Sequence, residues 1–98
     1  MNKRYIPAPI DTSKVTLSTE LLNLAEQLAE NTHEVWAAER LRQGWNYGPQ
    51  RDDAARQTPC LVPYKELSEA EKAFDRNTAL ETIRVLIKLG WTLISPEG

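Results

Sequence analysis

Residues 44–52 read Gly-Trp-Asn-Tyr-Gly-Pro-Gln-Arg-Asp, with two aromatics, two glycines and a proline, closing on an Arg-Asp pair. The stretch ends one helix and opens a long crossover. Upstream, Ser18 offers an N-cap and Glu20 an acidic group in the first turn, where the helix dipole favours it. From there to about residue 43 the apolar positions recur with a helical period. Leu21, Leu22, Leu24, Ala25, Leu28, Ala29, Thr32, Val35 and Trp36 gather in one arc. Gly44 suits the left-handed helix terminator, and Trp45 stands where a Schellman motif wants an apolar contact. Downstream, Pro49, Pro59 and Pro63 forbid a helix through the crossover. Loops this long in a small domain tend to be functional or disordered. Trp45, Tyr47, Leu61 and Val62 point to one ordered by packing.

Ser68-Glu69-Ala70-Glu71 is a capping box and predicts a second helix running to about residue 89. Its second half (Ile83, Val85, Leu86, Ile87, Leu89) is apolar almost all round, which predicts cover on several sides. Gly90-Trp91 ends it as Gly44-Trp45 ended the first. Pro7 and Pro9 hold the N-terminal arm extended. Residues 15–17 and 92–94 are short strand candidates that would bring the termini together. The predicted fold is mainly α: two long helices packed as an antiparallel-like pair, a long ordered crossover loop, and a minimal two-stranded β pairing of the termini. Trp36, Trp45, Tyr47, Tyr64, Phe74 and Trp91 are the aromatics expected to tie loop to helices.

Composition narrows the function. The chain has 98 residues, 41% hydrophobic and 27% charged, ordinary values for one small globular domain. A net charge of −2 argues against nucleic-acid binding, which favours a basic excess. No apolar run approaches a membrane span, and the N-terminus lacks the apolar stretch of a signal peptide. Cytoplasm is the expected setting. Cys60 and His33 are single representatives of their types, so neither an internal disulfide nor a metal site is expected, and no cofactor.

Several segments, in order, resemble the ryanodine-receptor repeat domain. They are Pro9-Ile10-Asp11-Thr12-Ser13, Leu28-Ala29-Glu30-Asn31 with His33-Glu34-x-Trp36, Gly44-Trp45-x-Tyr47-Gly48-Pro49, Arg51-Asp52-Asp53, Pro59-Cys60-Leu61-Val62-Pro63, Leu80-Glu81-Thr82 and Leu89-Gly90. The resemblance covers roughly residues 5–94 and makes residues 1–98 one repeat, of the kind found singly in bacteria and phages. It implies a module without catalytic residues. It also implies that paired repeats form a cleft with aromatic and basic side chains, able to take a nucleotide-like ligand. A single repeat supplies half of that cleft, and a homodimer would restore the other half by symmetry. Thr58 stands where the family usually carries a histidine, which removes any contact made by that side chain.

Within this frame His33, Trp36 and Arg40 lie at i, i+3 and i+7, on one side of the first helix. An imidazole, an indole and a guanidinium in one strip could hold a purine and a phosphate. Asp75 and Arg76 on the second helix would complete the site if they face the same cleft. Otherwise Trp36 is core and Asp75 and Arg76 belong to a solvated face. Glu39 falls inside the apolar arc. Either the core has ended by that turn, or Glu39 meets Arg51 or Arg76 in an ion pair that pins the loop, which is the reading we favour. Trp45, Tyr47, Arg51 and Asp52 are expected to brace the loop.

Arg51-Asp52-Asp53 lacks the alternating acids and central glycine of a calcium loop. His33-Glu34 begins a zinc-protease pattern, but Ala37 occupies the second histidine position. The sequence therefore reads as a non-catalytic binding module for a nucleotide-like ligand. The alternative is a structural protein–protein interaction domain with no small ligand.

Overall fold

A computed structural model describes residues 4–96. Helix α1 spans Thr19–Arg42. The Ser18 hydroxyl accepts the Leu21 N–H at its start. Gly44, at φ +89°, ends it. The Gly44 N–H bonds the Leu41 carbonyl at 3.0 Å and the Trp45 N–H bonds the Arg40 carbonyl at 2.9 Å. This is the predicted Schellman pair. Helix α2 spans Glu69–Lys88 and carries the reciprocal Ser68/Glu71 capping box. It ends identically, with Gly90 bonding Ile87 and Trp91 bonding Leu86, each at 3.0 Å.

The two helices pack against each other in opposite directions. Ala25 of α1 meets Ala79 and Ile83 of α2, with Leu17, Leu21, Leu24, Leu80 and Ile87 around them. Further along α1, Glu26 reaches back to Arg76, earlier in α2. Ala25 and Ala29 are fully buried, because a side chain that stops at Cβ lets a neighbouring backbone come close. Beyond Ala29 the partner of α1 changes. Ala29 packs with Tyr64, Leu67, Cys60 and Val62 of the crossover, so the C-terminal half of α1 is covered by loop instead of by helix.

The crossover is ordered by backbone bonds. Strands β1 (Asn46–Tyr47) and β2 (Gln57–Thr58) pair in parallel, Asn46 opposite Gln57 and Tyr47 opposite Thr58. Between them Asp52 and Gln57 exchange two backbone bonds of 2.9 Å, closing a turn in which Arg56 takes φ 55°. Arg56 Nη1 then donates to the Gln43 carbonyl at 2.8 Å, covering the open C-terminal end of α1. A short 3-10 turn, Tyr64–Glu66, leads into α2.

The mainly helical pair and the ordered crossover match expectation, while other details differ. The two-stranded sheet lies inside the crossover and not between the termini. Residues 15–17 and 92–94 form no strand. Leu17 faces the helix core, and Leu93 and Ile94 border a groove with Leu21 and Leu24. The two ends meet α1 through side chains, which leaves no ladder between their backbones. Of the aromatics, Tyr64 is buried, but Phe74 is 74% exposed, Trp91 67% and Tyr47 57%. The apolar second half of α2 buries Ile83 fully and leaves Leu89 exposed. Leu22, Leu28 and Val35 are exposed too, so the apolar arc of α1 is wider than the face it buries. The radius of gyration is 17.0 Å, against about 12–13 Å for a compact chain of this length. The core is a thin layer.

Gly48 tests the crossover. A Cβ there would lie 2.6 Å from the Gln57 Cβ, an atom held by the parallel ladder. Gly48→Ala should therefore destabilise by about 1–3 kcal/mol through overpacking. Gly90→Ala meets no atom within 4 Å and is strained only by its φ of +99°. It should cost about 1–2 kcal/mol. Urea unfolding of both variants compares them, and a Gly48→Ala protein as stable as wild type would contradict the packing.

Candidate functional site

The candidate side chains line up on α1 and on the turn that follows it. His33 is 4% exposed. Its Nε2 lies 2.6 Å from the Val62 carbonyl. A carbonyl only accepts, so Nε2 carries the proton and donates. The imidazole stacks on Trp36, centroids 5.6 Å apart and planes 28° apart. One turn on, the Arg40 guanidinium carbon stands 5.8 Å from the Trp36 ring centre and 4.9 Å from that of Trp45. Arg51 covers Trp45 at 5.7 Å. The Schellman bond explains the placement of Trp45, since the carbonyl it reaches belongs to Arg40. The result is a ladder of His33, Trp36, Arg40, Trp45 and Arg51. Cation–indole contacts of this kind contribute about 0.5–1 kcal/mol each when exposed, more when desolvated.

The charges at the two ends of the ladder differ. Arg51 Nε donates to Asp53 Oδ1 at 2.7 Å. That pairing holds the Asp53 carboxyl below its ordinary range. Arg40 has no carboxylate partner among the described residues; its hydrogen bond goes to the Gln43 amide oxygen at 3.3 Å. Arg40 is half-buried all the same.

Arg76 and Asp75 lie elsewhere. The Arg76 guanidinium grips both oxygens of Glu26, and the Tyr64 hydroxyl donates to Glu26 Oε1 at 3.0 Å. The Arg76 hydrogen bond, and then that of Tyr64, depress the Glu26 carboxyl below its ordinary value. Glu26 precedes Trp36 by ten residues, about 15 Å along α1. Arg76 is thus a strut between the helices and not a wall of the Trp36 strip. Asp75, its neighbour, is half-buried, and its side chain joins neither the strut nor the ladder. Tyr64 sits 6.3 Å from the His33 ring, so the strut and the ladder meet through Tyr64.

Glu39 does not pin the loop. It pairs with Arg42 one turn along the same helix, and its side chain is 46% exposed. The core has ended by that turn, because the crossover covers α1 from the His33 side and leaves Glu39 in solvent. Within the loop, Asp52 Oδ1 accepts the Ala55 N–H at 3.1 Å. Asp52 and Asp53 are both spent inside the turn. The Cys60 thiol donates to the capping carboxylate of Glu71, and burial, then that bond, push the thiol's pKa up.

Two grooves border the ladder. A polar one of about 420 Å³ lies among Pro49, Gln50, Arg51, Asp53 and Gln57. An apolar one of about 350 Å³ runs between Ala37 and Leu41 of α1 and Tyr47, Leu61 and Val62 of the crossover. Leu61 is among the residues expected to order the crossover, whereas Leu41 was not singled out from the sequence, although Glu34, Ala37 and Leu41 have the i, i+3, i+7 spacing of one helix face.

Residues 5–95 match the family model of the RyR domain. The chain belongs to the RyR domain family. Its Gly44-to-Asp53 segment, which carries much of the resemblance, is the part of this RyR domain that builds the outer rungs of the ladder. Among the described residues no helix is long and apolar enough to cross a membrane.

The Glu26 strut makes stability acid-sensitive. Glu26 has a folded-state pKa below its unfolded one. Its contribution is therefore complete above the ordinary carboxylate range and is lost as pH falls through the folded value. Glu26→Gln should lower the urea midpoint at pH 7 and flatten its decline between about pH 5 and pH 2. An unchanged acid decline in Glu26→Gln would show that the strut contributes nothing to it.

Proposed function

We propose that this RyR domain is a non-catalytic binding module of the cytoplasm that captures a planar, anionic, nucleotide-like small molecule on the ladder's outer rungs. The supporting observation is Arg40: a half-buried guanidinium between two indoles that forms no ion pair among the described residues, with the Asp53 carboxylate near enough to feel its charge but paired to Arg51. Arginine is held there by aromatic faces while its charge stays available to a ligand's phosphate, which it can grip with two N–H groups. Exposed parts of Trp36 and Trp45 offer stacking surface, worth about 1–3 kcal/mol per base. Arg51 would add a second cation once an anion competes with Asp53. His33 serves from behind, fixing the angle of Trp36. A binding role is favoured over chemistry because the reactive groups are already committed: the His33 Nε2 proton to Val62, and the Cys60 thiol to Glu71.

A second reading, a protein interaction domain without a small ligand, is favoured by the thin core and the exposed Phe74, Leu89 and Trp91. Thermal denaturation against a nucleotide panel separates the two. A ligand at about 100 times its Kd adds about 2.7 kcal/mol, a shift on the order of ten degrees for a domain this small. Arg40→Gln should fold, retain helix content and lose at least tenfold in affinity. If no nucleotide at millimolar concentration moves the transition of the wild-type protein, the ligand reading is wrong and the interaction reading stands.

A further inference from the structure

The two acids at the tip of the crossover have different roles. Asp52 holds backbone: its N–H and carbonyl exchange bonds with Gln57, and its Oδ1 accepts the Ala55 N–H. The Asp53 backbone is fixed as well, its carbonyl accepting the Arg56 N–H at 3.3 Å. Arg56 in turn ties the tip to the end of α1 through the Gln43 carbonyl. The Asp53 side chain takes no part in that framework. It reaches Arg51 Nε at 2.7 Å, and the two side chains are 72% and 65% exposed. The turn therefore keeps its shape when the carboxylate lets go, since a rotation about χ1 suffices.

The carboxylate stands on the side of the ladder that carries the positive charge. Arg51 and Arg40 lie over Trp45, at 5.7 and 4.9 Å from its ring centre. The bond from Arg51, then the charges of Arg51 and Arg40, hold the Asp53 carboxyl below its ordinary range. Ion pairs this exposed are weak, because water and salt screen the charges and two side chains lose freedom. An arginine fork can grip two oxygens of a phosphate at once, whereas Asp53 engages Nε alone. A phosphate is thus the stronger partner for Arg51. The groove of about 420 Å³ beside Pro49, Gln50 and Gln57 leaves room for the exchange.

We infer that Asp53 is an internal competitor: its carboxylate occupies the anion position on Arg51 in the free protein, and the phosphate of a ligand displaces it. This role presupposes that the outer rungs capture a nucleotide-like anion, as proposed above, and it determines which anions are favoured. Competition lowers the affinity for every phosphorylated ligand. The displaced carboxylate also stays close, because the turn's backbone is fixed, and it repels each further negative charge on the ligand. Two guanidiniums, Arg40 and Arg51, against the one carboxylate of Asp53 leave a single net positive charge at the outer rungs. The site therefore favours a ligand of low charge over a polyphosphate. A neutral nucleoside is indifferent to Asp53.

Adenosine, AMP and ATP, titrated against the full chain by calorimetry in magnesium-free buffer, test this. Asp53→Asn should keep the helix content and urea midpoint of wild type, since that side chain holds no backbone. It should bind AMP about three- to tenfold more tightly, ATP with a larger gain, and adenosine as wild type does. In an Arg51→Gln background the gain for AMP should largely vanish, because the competitor acts through Arg51. If Asp53→Asn leaves the AMP affinity unchanged while Arg40→Gln weakens it, the competitor is overturned and capture stands. A gain of the same size in the Arg51→Gln background would reduce Asp53 to a diffuse charge and overturn the competitor too. Equal gains for AMP and ATP would overturn the selection by ligand charge. If none of the three compounds binds wild type or Asp53→Asn, the capture reading itself fails and the competitor falls with it.

Discussion

The bond from His33 Nε2 to the Val62 carbonyl is the point on which the crossover turns. Helix α1 runs past the start of α2, so from Ala29 onward its core partners come from the crossover. The crossover must cover that part of α1, yet its regular structure amounts to two strands of two residues each and one short 3-10 turn. A chain with so little regular structure needs long-range anchors. His33 supplies one from inside the protein, where a hydrogen bond is poorly replaced by water. Val62 and Tyr64 are thereby set against Ala29, and the second half of the core follows.

The same anchor organises the site. Once the imidazole is fixed, Trp36 has a face to lie on, Arg40 lies over Trp36, and Trp45 folds back over Arg40 because the helix ends in a Schellman turn. Each rung constrains the next. The ladder is stiff near His33 and open near Arg51, an arrangement suited to holding a ligand at the solvent end without losing the order of the side chains behind it. Glu26, Tyr64 and Arg76 perform a separate task, tying α1 to α2. Sequence spacing could not separate the two basic groups, because an arginine in a strut and an arginine in a ladder look alike until their partners are known.

The thin core gives the molecule its other character. Small buried residues such as Ala25 and Ala79 bring the helices close but enclose little. Large apolar residues are correspondingly left outside, on both helices and in the segments before α1 and after α2. Residues such as Phe74 and Trp91, which would anchor the core of a thicker domain, are surface here.

The sequence by itself determined what local chemistry controls. Ser18, Gly44, the Ser68/Glu71 box and Gly90 place both helices to within about a residue, because caps and terminators act over only a few positions of chain. The resemblance carried by several ordered segments between Pro9 and Gly90 gave the family. It also put His33, Trp36 and Arg40 on one strip, since helical spacing is a local rule. Only the tertiary structure decided which partners those groups meet. Glu39 turned to Arg42 and Arg76 to Glu26, and the small sheet formed within the crossover instead of between the ends of the chain. Those choices depend on where α1 outruns α2 and which side the crossover covers. Distances between residues far apart in sequence set them, and no local pattern encodes such distances.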